Sequence, residues 1–105
     1  MGPKTTELLN ILDELVALLH AAGEMHWAHW LERDACRLRE RDFYGVEHFL
    51  NAFGGMGSIN DLIIHPENGH RISADEIRNV NERLDTLLNR GATLGKEIVR
   101  CHEAG

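Results

Sequence analysis

From Ile77 to Cys101 the apolar and small residues fall at Ile77, Val80, Leu84, Leu87, Gly91, Leu94, Ile98 and Cys101, with spacings that alternate between three and four. Only a helix burying one seam has that period. The spacing predicts a helix from about 74 to 102, opened by the capping box Ser73-Ala74-Asp75-Glu76. Gly91 lies on the seam and Gly95 beside it. Each glycine costs a helix about 1 kcal/mol against alanine, so their presence predicts a second helix approaching closely there.

Three earlier stretches carry the same period. Leu8, Leu12, Leu15, Leu19 and Ala22 predict a helix over about 5–22, capped by Thr5 or Thr6 and stopped by Gly23. A second is expected over 24–39, with Trp27, Trp30, Leu31 and Leu38 facing inward and Ala35 alongside. A third, over 43–53, is capped by Asp42, carries Phe43, Val46, Phe49, Leu50 and Phe53, and ends at Gly54. The expected fold is mainly α: four antiparallel helices in a single domain covering 1–105.

Between the third and fourth helices lies Gly54-Gly55-Met56-Gly57-Ser58-Ile59-Asn60-Asp61, with three glycines in four residues. Such crowding implies positive φ or close backbone approach. An anion held on backbone N–H groups is one reading. However, no Lys-Ser or Lys-Thr follows, and a helix rather than a strand precedes, so this is neither a nucleotide loop nor a dinucleotide fingerprint. Further on, Asn68-Gly69 is a hairpin signal. A small β-hairpin is expected within 54–72, bringing His65 or Glu67 opposite His70.

The formal net charge of −6 disfavours nucleic acid, whose binding requires Lys and Arg on phosphates. Arg33, Arg37, Arg39 and Arg41 interleave with Glu32, Asp34, Glu40 and Asp42, which reads as a solvated face with ion pairs. No apolar run of membrane-spanning length occurs, and Glu7, Asp13 and Glu14 interrupt any leader pattern. A cytoplasmic location is expected, with Cys36 and Cys101 reduced and buried. His26 and His29 stand one turn apart, yet no helix carries the Glu-x-x-His of a bundle metal site. Ser58 lacks a nucleophile elbow. No metal, no cofactor and no catalytic residue are expected.

The strings Trp27-x-x-Trp30-Leu31, Phe49-Leu50-x-x-Phe53-Gly54-Gly55-Met56-Gly57-Ser58-x-Asn60-Asp61 and Asn68-Gly69-His70 resemble an uncharacterised bacterial family of small helical proteins, a domain of unknown function. The resemblance implies a compact, cytoplasmic helical domain and brings no catalytic residue with it.

Small size, acidity and a polar glycine-rich projection lead to the expectation of a protein-binding module. Its concrete form is an immunity protein that covers the active or substrate-binding surface of a cognate toxin, with a basic toxin domain as partner. The contact residues expected are Asn60, Asp61, Glu67, Asn68 and His70. The alternatives are a small enzyme or ligand sensor whose pocket is built by the Gly54–His70 segment, and a self-associating structural protein dimerising through the last helix.

Overall fold

A computed structural model describes residues 1–54 and 56–101. It is mainly helical, with α1 at Pro3–Ala21, α2 at Met25–Arg39, α3 at Tyr44–Leu50 and α4 at Ile77–Cys101. The expected end of the last helix at His102 lies outside the described residues, as does Gly55 of the glycine string.

The first helix begins two residues earlier than its threonines suggested. Pro3 takes the first position, where its missing N–H costs nothing, and Gly2 caps. Thr5 is then inside the helix and buried. At the other end Gly23 donates to the His20 carbonyl at 3.0 Å and Glu24 to the Leu19 carbonyl at 2.9 Å. This is the paired Schellman closure, with Gly23 at φ +76°.

Leu8, Leu12, Leu15 and Leu19 are all fully buried, which makes α1 the hub of the core. The inward stripe of α2 is Ala28, Leu31, Ala35 and Leu38, joined by Asp34. Trp27 and Trp30 flank it, half-buried against the core rather than leading it. The stripe is rotated from the expected one because the small residues face α1. The wide indoles sit at the margin, where the Trp30 N–H reaches the His48 carbonyl.

Helix α3 is shorter than expected. It closes after Leu50 in turns that bury Ala52, and Gly54 follows at φ +92°. It starts one residue later than expected, at Tyr44 with Phe43 as N-cap, although the Asp42 side chain still accepts the Tyr44 N–H at 3.0 Å. The two seam glycines of α4 admit this helix. A Cβ on Gly91 would stand 3.0 Å from the Phe49 ring, and one on Gly95 would stand 2.9 Å from Leu50. Helix α4, 25 residues and so about 37 Å long, runs most of the 42 Å length of the molecule. Along α4, Leu84, Leu87, Leu88, Gly91, Gly95 and Ile98 are buried, Ile77, Val80 and Leu94 are half-buried, and Cys101 is exposed.

No strand occurs among the described residues, so the expected hairpin within 54–72 is corrected. Residues 62–65 are extended but unpaired with any strand, and Pro66–Asn68 form a 3-10 turn. Pro66 has no N–H for a ladder. Its fixed φ instead starts the turn, the His65 ring caps it, and Gly69 ends it at φ +83°. Asn-Gly thus supplies a left-handed residue to a turn rather than two to a hairpin.

Candidate functional site

The glycine string is closed by its own polar residues. Asn60 Oδ1 accepts the Gly54 N–H at 3.3 Å, and Asp61 Oδ2 accepts the Gly57 N–H at 3.0 Å. The Ser58 hydroxyl also donates to Asn60 Oδ1. Ile59 donates its N–H to the Ala52 carbonyl at 2.9 Å and is fully buried, anchoring the loop to the body. The Gly54 and Gly57 N–H groups are therefore engaged internally and are not offered to an anion. The tied loop leaves Met56 wholly exposed, and farther along the same segment Ile63 is 58% exposed.

Polar side chains from the helices fix the rest of the segment. Asn81 of α4 accepts the Ile64 N–H and donates to the Ile64 carbonyl, both at 2.8 Å, so one amide replaces a strand partner for a fully buried residue. A second Asn81 N–H reaches the Ile77 carbonyl at 2.8 Å.

His70 provides the next attachment. Its Nδ1 accepts the His65 N–H at 3.1 Å, which leaves the ring proton on Nε2 to donate to Glu24 Oε1 at 3.1 Å. Glu24 caps α2 through its other oxygen, accepting the Trp27 N–H at 3.1 Å. Arg71 then donates its N–H to the Ala22 carbonyl at 2.8 Å.

The five expected contact residues therefore divide. Asn60, Asp61, Glu67 and Asn68 are exposed on the segment. Of these, Asn68 donates to the Ile63 carbonyl at 3.0 Å, while Asn60 and Asp61 also hold the loop. The His70 side chain is only 5% exposed and serves as an internal strut. His65 and His70 do meet, through His70 Nδ1 and the His65 backbone rather than across a ladder.

Between α3, the glycine loop and α4 lies an open-sided cavity of about 480 Å³. Leu50, Phe53, Leu88 and Ala92 give it an apolar floor, and Asn60, Asp85 and Lys96 give it polar edges.

A second polar centre, at the α2–α3 junction, was hidden in the sequence. Asp34, expected on a solvated face, is fully buried. Its Oδ1 receives His48 Nδ1 at 2.5 Å and lies 3.5 Å from Arg37 Nη1. The His48 ring stacks on Trp30 with centroids 4.3 Å apart, and Trp30 Nε1 donates to the His48 carbonyl at 3.2 Å. Arg37 lies 5.1 Å from the Tyr44 ring centroid. Burial pushes the Asp34 carboxyl up to about 6, against the opposing pull of the His48 hydrogen bond and of the His48, Arg37 and Arg33 charges. A carboxylate four residues before a histidine on one helix would have drawn notice. One fourteen residues away, amid alternating charges, gives no signal.

Both cysteines are free and exposed, which corrects their expected burial. Cys36 falls just off the α2 stripe and donates to Glu40 at 3.4 Å, and that contact raises its pKa, disfavouring a reactive thiolate. His26 and His29 are exposed on α2. Among the described residues no three His, Cys, Asp or Glu side chains gather as a metal site would require. Nor, among those residues, is any helix long and apolar enough to cross a membrane.

A family model described as "Domain of unknown function (DUF6966)" matches residues 20–73, just over half of the chain. The chain belongs to this family. Within the DUF6966 match fall the end of α1, all of α2 and α3, the Asp34–His48 pair, the glycine string and His70; Asn81 and the rest of α4 lie beyond it. No curated protein and no solved structure matches the chain.

Proposed function

We propose that this protein is a protein-binding module, an immunity-type protein of bacterial cytoplasm that neutralises a cognate toxin by covering its active or substrate-binding surface. The observation that carries the reading is the wholly exposed Met56, presented on a loop tied down by Asn60 and Asp61. A large apolar side chain held out by a tied loop is the form of an interface anchor, because the loop backbone has little conformational entropy left to lose on binding. Asp61 and Glu67 give the same segment acidic groups, and the net charge of −6 favours encounter with a basic partner. Asn60 and Asn68 would form the polar rim. The ion pairs Asp13–Arg39 and His20–Glu32 on α1–α2, and Glu7–Arg90 and Glu14–Arg83 on α1–α4, support an antiparallel bundle as the rigid base.

The test is co-expression with the product of the adjacent gene, followed by titration of the purified pair. Tight binding that weakens with salt, and that Met56→Glu reduces at least tenfold, supports the reading. Failure of the pair to co-elute, with no protection from the product's toxicity, rejects it.

The 480 Å³ cavity favours a second reading, a small-ligand sensor. A thermal-shift screen of metabolites would support it by finding a ligand whose stabilisation is lost in Lys96→Ala. The structural-protein reading, by dimerisation through α4, has weaker support because Leu84, Leu87, Gly91 and Ile98 of the α4 seam are buried within the chain.

A further inference from the structure

Among the described residues Asp34 is the one charged side chain that is buried, and it sits where a seven-residue helix joins the body. A helix as short as α3 is not stable by itself. Its position depends on docking: two of its contacts meet at Asp34, and a third lies one turn before it. Gly45 is pressed so closely to α2 that a Cβ there would lie 2.9 Å from the Asp34 carbonyl oxygen. His48 binds the Asp34 carboxylate, and Trp30, one turn before Asp34, bonds and stacks on His48. The second carboxylate oxygen, Oδ2, is buried with no protein hydrogen-bond partner among the described residues. The charge is thus compensated on one oxygen only.

We propose that Asp34 and His48 form a proton-controlled clasp between α2 and α3 that grips more firmly in mildly acidic solution than at neutral pH. Adding a proton to Asp34 removes a buried charge with an uncompensated oxygen, which is the costly state. The contact with His48 survives the change, since the imidazole N–H donates to a carboxylate oxygen and equally to the carbonyl oxygen of a protonated carboxyl group. The charged groups acting on Asp34 are Arg33 and Arg37 from α2 and His48 from α3, with Tyr44 of α3 beside Arg37.

The sign follows from linkage. The folded protein holds the Asp34 proton with a pKa of about 6, against 3.8 for the free side chain. The stabilisation is therefore complete below about pH 4 and fades as the pH rises through 6.

The experiment needs no partner. Amide exchange of α3, expressed as an opening equilibrium, and urea midpoints are measured from pH 5 to 7.5 on the full chain, on Asp34→Asn and on His48→Gln. Relative to Asp34→Asn, the natural chain should open about tenfold more at pH 7.5 than at pH 5. Asp34→Asn should show no step centred near 6. An identical step in Asp34→Asn overturns the clasp. Should Asp34→Asn fail to fold, His48→Gln decides: the step moves to higher pH if His48 is the partner, and an unmoved step overturns the proposal.

Discussion

The bundle body and the segment from Ile59 to Ile72 are held by opposite means. In the body, α1 puts fully buried leucines against α2 and α4, and the ion pairs crossing its surface are exposed. Exposed pairs contribute little. In the segment, Ile59 and Ile64 supply apolar anchors, but their backbones are placed by the Ile59 N–H bond to the Ala52 carbonyl and by the Asn81 amide. His70 and Glu24 then secure the far end. The body relies on burial, which is non-directional and tolerant of small rearrangement. The segment relies on directional bonds that hold one geometry or none. Met56 projects from the loop that leads into this segment.

This contrast can be broken by substitution. Leu12→Ala should have the largest effect, about 3–4 kcal/mol by urea unfolding, because the cavity opens among residues that are all buried. Asn81→Leu should cost about 2 kcal/mol by stranding the Ile64 N–H and carbonyl without partners. Its mark is local, with Ile64 amide exchange accelerating more than that of Leu12 or Leu15. If the two variants lose protection uniformly, segment and body are one cooperative unit and the distinction fails. His70→Ala should cost about 1–1.5 kcal/mol, and its signature is faster exchange at Trp27, whose N–H depends on the Glu24 cap that His70 steadies. Met56→Ser should leave stability within about 0.5 kcal/mol. A larger stability change would mean that Met56 packs against the body and cannot serve as a free anchor.

The same division governs what could be read from the sequence. The four helices were legible because leucines at spacings of three and four encode burial directly, and Gly91 and Gly95 announced a close approach that Phe49 and Leu50 make. The hairpin was misread because Asn68-Gly69 specifies a left-handed residue, not the pairing around it; Pro66 decided for a 3-10 turn. Asn81 gave no signal at all. On a helical wheel it is an ordinary polar residue, and its role exists only once Ile64 is beside it. Asp34 reads as solvent-facing from its neighbouring arginines, although Arg33 and Arg37 are part of what favours its charge inside. Among the expected contact residues, the exposed acids Asp61 and Glu67 follow from local polarity, whereas the burial of His70 depends on Glu24, forty-six positions earlier.

Asn81 and the hub leucines also bear on how the family stretch can be handled. Residues 20–73 carry the loop, the clasp and the strut, but Leu8, Leu12 and Leu15 precede them, and Asn81, Leu84 and Leu87 follow. Cut out alone, that stretch would lose the leucines it packs on and the amide that holds Ile64. Grafting the Met56 loop onto another scaffold would accordingly require carrying a helix from each flank, and random truncation libraries should return soluble fragments only when both flanks are retained.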